Sequence, residues 1–182
     1  MFKNPLFKSS RVHLTGKRSG DAEIMAVWQE DDVYQRLVDT DFARPVSVEA
    51  LAASDVREQS DLSHVSFRIR TNEDDRLIGF VALFNIEWNN RCATMAIGIG
   101  DEKDRGKGYG AEALQLILNY AFNELNLHRV GLDVISYNQP AIRSYKRAGF
   151  KEEGVVREAV FREGCYYDRI YMGILQSEWS KQ

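Results

Sequence analysis

Between Asp104 and Ala111 the chain reads DRGKGYGA, with glycines at 106, 108 and 110, and an apolar-periodic segment follows at once. A glycine-rich loop that opens a helix is an anion site. Unpaired backbone N–H groups and the positive end of the helix macrodipole converge there, and glycine lets the backbone approach the anion closely. Phosphate is the usual occupant. A nucleoside-triphosphate loop needs GxxxxGK followed by Ser or Thr to hold magnesium, but Lys107 is followed by Gly108, and Gly100 precedes Gly106 by one residue too many. A dinucleotide loop needs GxGxxG after the first strand of a parallel unit, whereas these glycines read GxGxG after an antiparallel run. Taken alone, the loop is also compatible with a helix start that holds no ligand.

The elements that must position this loop follow from periodicity. Arg11 to Thr15 reads as a first strand, Gly20-Asp21 opens a helix carrying Ile24, Val27 and Trp28, and a second helix runs from about Val46 to Glu58 with Ser47 as N-cap. Together these helices are expected to form a mobile cap. His64 to Thr71 alternates, with Val65, Phe67 and Ile69 on one face and Ser66, Arg68 and Arg70 on the other, as in a half-buried strand. After the polar turn Asn72 to Asp75, Leu77 to Trp88 and Cys92 to Ile99 complete three antiparallel strands. Ala111, Leu114, Leu118, Ala121, Phe122 and Leu125 mark one helix of four turns ending at Asn126. Arg129 to Ile135 is a strand, Pro140 to Ala148 a short helix stopped by Gly149, and Val155 to Phe161 with Tyr166 to Leu175 a hairpin turning at Arg162 to Cys165. The order predicts one α/β (α+β) domain over residues 1–182, with a mixed, mostly antiparallel sheet of about seven strands flanked by helices.

Composition narrows the function classes. The chain has 182 residues, 44% hydrophobic and 28% charged, as in an ordinary globular domain. With no apolar leader region and no run long enough to span a bilayer, the expectation is a cytoplasmic protein without membrane attachment. Cys92 and Cys165 form no CxxC pattern and His13, His64 and His128 are scattered, so neither a disulfide framework nor a metal site is expected. A net charge of -3 with no Lys/Arg block argues against nucleic acid as a partner. From Asp21 to Asp41, seven acids face only Arg36. That segment reads either as a solvated helical face or as a vestibule attracting a cationic substrate.

Arg105-x-x-Gly108-x-Gly110 resembles the Gln/Arg-x-x-Gly-x-Gly/Ala pyrophosphate motif of the GNAT superfamily of N-acetyltransferases. Asn138-x-x-Ala141-x-x-x-Tyr145-x-x-x-Gly149-Phe150 resembles that family's second signature, one helix and one strand later. The element order from Arg11 to Trp179 is similar too, and the hairpin ending REAVFREGCYYDRIYMGIL looks closest to the branch of spermidine and ribosomal-protein N-terminal acetyltransferases. The resemblance implies acetyl-CoA as cofactor, with its diphosphate in the loop formed by Arg105, Gly106, Lys107, Gly108, Tyr109 and Gly110. It implies that Ile97, Gly98 and Ile99 stay splayed from the neighbouring strand to pair with the pantetheine arm, and that Asn138 bonds that arm or a water. By residue type Tyr145 is packing on an amphipathic helix; the resemblance makes it the catalytic acid. A primary amine on a polyamine, a protein N-terminus or another small molecule is the implied acceptor, and a homodimer is a further implied partner state. The glutamate many members carry on the strand before the loop is missing, with Thr94 and Met95 in its place and Glu87 the nearest acid. That absence leaves a non-catalytic acyl-CoA-binding domain as the alternative.

Overall fold

A computed structural model describes residues 5–179. Its seven strands are β1 (Val12–Thr15), β2 (Val65–Thr71), β3 (Leu77–Glu87), β4 (Cys92–Ile99), β5 (Arg129–Ile135), β6 (Lys151–Arg162) and β7 (Cys165–Leu175). They form one sheet in the order β1-β2-β3-β4-β5-β7-β6. Every pairing is antiparallel except β4 with β5, which is parallel and limited to Cys92↔Arg129, Ala93↔Val130 and Thr94↔Gly131. Beyond Thr94 the two strands part, so the end of β4 keeps β3 as a partner and lacks β5.

The helices are α1 (Asp21–Trp28), α2 (Asp32–Val38), α3 (Val48–Ser60), α4 (Tyr109–Asn119), α5 (Gln139–Arg147) and α6 (Gln176–Trp179). Helix α4 buries Ala113, Leu114, Leu116, Ile117 and Leu118 in a core shared with Ile69, Leu83, Met95, Val130, Ile142 and Ile174. Removing each such leucine, isoleucine, valine or methionine side chain from water stabilises the fold by about 1.5–3 kcal/mol. The expected long helix to Asn126 is real in extent but not uniform. After Asn119 it widens into a π-helical turn, Tyr120–Glu124, which Asn126 closes with φ 55°. None of the described helices is long and apolar enough to cross a membrane.

Three expectations about the cap are corrected. Helix α1 buries Met25 and Trp28, while Ile24 and Val27 are exposed, so its inward face is rotated from the expected one. Helix α2 was not expected at all. Its signals are polar: Asp31 Oδ1 accepts from Val33 N and Tyr34 N, and Asp32 pairs with Arg36 one turn on. The polar face of β2 is not solvated either. Arg68 and Arg70 are 3% and 7% exposed beneath the cap, with Arg68 Nη2 bonded to both Asp55 carboxylate oxygens at 2.8 Å and Arg70 bonded to buried Asp21. Lys17 adds ion pairs of 2.8 Å to Asp55 and Glu58. A charge out of water is tolerated only when paired, so this network ties α1 and α3 to the sheet.

Just before β1, Ser9, Ser10 and Arg11 converge on Glu112 in the first turn of α4. Burial alone pushes the Glu112 carboxyl up, but hydrogen bonds from Ser9, the Arg11 amide and side chain, and Ser10 outweigh it and hold it at about 2. A depressed folded-state pKa contributes stability that is present above the unfolded value of about 4.3 and is lost as pH falls towards the folded value. Urea unfolding midpoints of the native chain are therefore expected to drop between pH 5 and 3 by more than those of Glu112→Gln. Parallel pH profiles for the two proteins would contradict this.

Candidate active site

A cavity of about 920 Å³ opens where β4 and β5 part, bounded by the loop, α4 and α5. Ile97, Gly98, Ile99, Arg105, Gly106, Gly108, Tyr109, Gly110, Asn138 and Tyr145 all line it. Of the residues assigned in the sequence to cofactor binding and catalysis, Lys107 alone is not in the wall, although its carbonyl accepts from Arg11 Nη1 at 2.8 Å. The loop meets the geometric demand of an anion nest. Gly108, the N-cap of α4, has φ 87°, and no side chain caps the helix. Glu112 N bonds Gly108 O at 3.2 Å, so the amides of the preceding turn have no intrahelical partner. A nest of this kind fits a diphosphate.

Gly98 and Gly100 are required by close approach, and no bulge lies at either position. A Cβ on Gly98 would sit 2.7 Å from the Phe80 ring and 3.1 Å from the Tyr34 hydroxyl, and one on Gly100 would sit 2.0 Å from the Trp28 indole. Register shifts against β3 occur instead between Phe84 and Glu87.

Arg105 occupies its motif position without aiming its charge at the nest. Its Nε donates to Ile99 O at 3.2 Å and Gly100 O at 3.1 Å, and Nη2 donates to Gly100 O and, at 2.8 Å, to Asp31 Oδ2. Burial pushes Asp31 upward, yet the Arg105 hydrogen bond and the α2 amides leave its carboxyl below the usual range. One carboxylate thus caps α2 with one oxygen and, with the other, holds the guanidinium that grips the end of β4. Asp31→Asn keeps an N-cap and removes the charge, so the affinity for coenzyme A is expected to fall about three- to tenfold while the unfolding midpoint changes little. Combined with Arg105→Ala, the losses are expected to be less than additive, and full additivity in titration calorimetry would show that the pair does not act as a unit.

Asn138 is likewise engaged with the protein. Its Oδ1 caps α5 at Ala141 N (3.3 Å), and its Nδ2 donates to Leu37 O at the end of α2 (3.0 Å). The side chain therefore ties α2 to α5 across the cavity wall. Tyr145 is 9% exposed, its ring packs against Phe150 with centroids 5.8 Å apart, and its hydroxyl makes no hydrogen bond to another described residue. Burial, with the Asp133 carboxylate adding to it, pushes its phenol up to about 12. The proton therefore stays on Tyr145 throughout the physiological range.

Tyr34 and Leu37 of α2 also line the cavity and were missed in the sequence together with their helix. The Tyr34 ring lies under the Arg105 guanidinium at 5.6 Å, and burial raises its phenol. Glu87 is in a different place. It lines a second cavity of about 720 Å³, with Thr94, Asp133, Glu153 and Tyr171. Asp133, 3.7 Å from Arg169, went unnoticed because a single acid in an alternating strand carries no motif.

The family model for the acetyltransferase (GNAT) domain matches residues 11–151, which is more than three quarters of the chain. The chain belongs to the GNAT acetyltransferase family. Among curated relatives it is similar to a spermidine N(1)-acetyltransferase of Vibrio cholerae, 40% identical over 103 residues, covering 57% of this chain and 59% of that one. It is similar too to a putative ribosomal N-acetyltransferase of Bacillus subtilis, 34% identical over 106 residues, covering 58% and 57% of the two. Each of these alignments spans less than two thirds of the relative. A solved structure, the spermidine N-acetyltransferase from Vibrio cholerae in complex with CoA and spermine, matches with a TM-score of 0.86 at 28% identity over 94% of this chain and 99% of that one. This GNAT chain is therefore an N-acetyltransferase that uses acetyl-CoA, on the mixed, mostly antiparallel sheet the sequence implied.

Proposed function

We propose that this enzyme transfers the acetyl group of acetyl-CoA directly to a primary amine of a polyamine or a similar cationic small molecule, with a protein N-terminus as the second acceptor class. One observation carries the reading: the amide nest at the start of α4, the β4 edge without a β5 partner, and the protonated Tyr145 phenol share one cavity. The relatives that act on spermidine support the acceptor class. So do the carboxylates of Glu87 and Asp133, which line the neighbouring cavity along the same strands and suit an ammonium.

When bound, acetyl-CoA supplies an activated acetyl thioester. The N–H groups along the free β4 edge orient it and polarise its carbonyl. With no carboxylate on β4, the acceptor ammonium loses its proton to water before attack, while Asp133 and Glu87 hold the rest of a polycation in place. As the amine nitrogen bonds to the carbonyl carbon and the carbon–sulfur bond breaks, Tyr145 hands its proton to the departing sulfur, and the surplus proton on the nitrogen returns through water to the phenolate, leaving a neutral amide and a free thiol.

A panel of spermidine, spermine, aminoglycosides and short peptides, each incubated with acetyl-CoA while free thiol is followed, tests the assignment. Turnover is expected with the polyamines. Cofactor binding without thiol release on any amine would replace the enzyme by an acyl-CoA-binding domain. A homodimer and a cytoplasmic location complete the proposal, and light scattering of the purified protein checks the first.

A further inference from the structure

Helix α5 turns Ile142, Tyr145 and Ala148 into the core, and between them it sets Arg143 and Arg147 at i, i+4 spacing on an outer stripe. Both arginines are exposed and both line the large cavity. Neither makes an ion pair or hydrogen bond with a described residue, whereas neighbouring Lys146 reaches Glu152 at 3.7 Å and the arginines at 68, 70, 76 and 129 are all paired with acids. A cation in the last turn complements the helix dipole, which accounts for Arg147 but not for Arg143 one turn earlier. The charge around them is one-sided. Asp104 is the only acid among the described residues of the cavity wall, and Arg76 neutralises it through bonds of 2.6 and 3.1 Å.

Two unpaired guanidinium forks beside a cavity that offers them no free carboxylate make an anion subsite on α5, separate from the amide nest that begins α4. Coenzyme A carries a second phosphate beyond its diphosphate, the dianion on the ribose 3′ oxygen. Arginine suits it because the planar fork matches phosphate oxygens two at a time. We propose that Arg143 and Arg147 bind the 3′-phosphate of coenzyme A and make this enzyme discriminate against the dephosphorylated cofactor. The proposal rests on the cofactor reading above. A polyamine would be repelled here, so the same pair keeps the acceptor out of the cofactor's mouth.

Titration calorimetry of the whole chain with coenzyme A and with dephospho-coenzyme A is the test. The native protein is expected to bind coenzyme A about tenfold to a hundredfold more tightly, the range of one or two charge-assisted hydrogen bonds. Arg143→Gln/Arg147→Gln is expected to bind both ligands with the affinity the native chain has for the dephosphorylated one. Its unfolding midpoint should be unchanged, since both side chains are exposed and unpaired. The lysine pair, which keeps the charge and loses the fork, should retain part of the preference. Equal affinities in the native protein, or a preference that survives in the glutamine variant, would overturn the proposal and leave the loop assignment standing. If neither ligand binds, the cofactor reading falls as well.

Discussion

Tyr145→Phe is expected to lower kcat by about a hundredfold or more, the usual worth of a placed general acid, while leaving KM for acetyl-CoA within about twofold. The reasoning starts from burial. Tyr145 is anchored in the core by its ring, and desolvation together with the Asp133 carboxylate keeps its phenol up at about 12. The group is thus fully protonated where the enzyme works, and since a thiol's ordinary pKa of about 8.5 lies below that of the phenol, Tyr145 acts by hydrogen-bonding the charge that builds on sulfur and gives up its proton only as the nitrogen's surplus proton replaces it. Phenylalanine keeps the packing against Phe150 and removes only the hydroxyl, which has no partner among the described residues, so stability should hardly move. The effect should vanish with an acetyl donor whose leaving group needs no proton. A rate retained in full by the phenylalanine variant would remove Tyr145 from the chemistry and leave it as packing.

Gly108→Asp is expected to weaken coenzyme A binding by about a hundredfold or more. Two penalties combine. With φ 87° at the N-cap of α4, any side chain is strained, and a Cβ there would lie 2.8 Å from Arg11 Nη2, on an arginine already committed to Lys107 O and Glu112. The larger part is electrostatic, since the new carboxylate occupies the nest and repels the diphosphate. Gly108→Ala separates the two contributions: it should show the strain as a lower unfolding midpoint and only a small part of the affinity loss. Equal affinity losses for alanine and aspartate would show that loop shape alone governs binding.

Much of this site was legible because the residues that make it have few other uses. Glycines at 106, 108 and 110 before an apolar stripe leave little besides a tight loop feeding a helix, and the structure has that loop, with positive φ at Gly106 and Gly108. The element order, the run of three antiparallel strands and the last hairpin followed from alternation and short turns, whereas the order of strands across the sheet did not. Other features turn on partners distant in sequence. Arg68 and Arg70 read as a wet strand face because nothing local announces that Asp55 and Asp21 lie above them. Helix α2 escaped because its start is written in carboxylates, and Val33, where an apolar stripe would show, is exposed. Arg105 carries the residue type expected of an anion ligand, yet the carbonyls at the end of β4 and Asp31 claim its guanidinium, a competition no spacing rule can foresee. The acidic run from Asp21 to Asp41 divides in the same way. Asp21 and Asp31 serve the interior, as partners of Arg70 and Arg105, so the segment is less of a charged vestibule than its composition promised.

The central claim is that a diphosphate rests on the amides that begin α4, and a crystal structure of the protein with coenzyme A bound tests it most directly. The expected result is phosphate oxygens about 2.7–3.2 Å from backbone nitrogens between Gly106 and Ala111, with the pantetheine arm along the β4 edge from Met95 to Ile99. A cofactor lodged elsewhere on the molecule, with that loop touching no phosphate, would contradict the account.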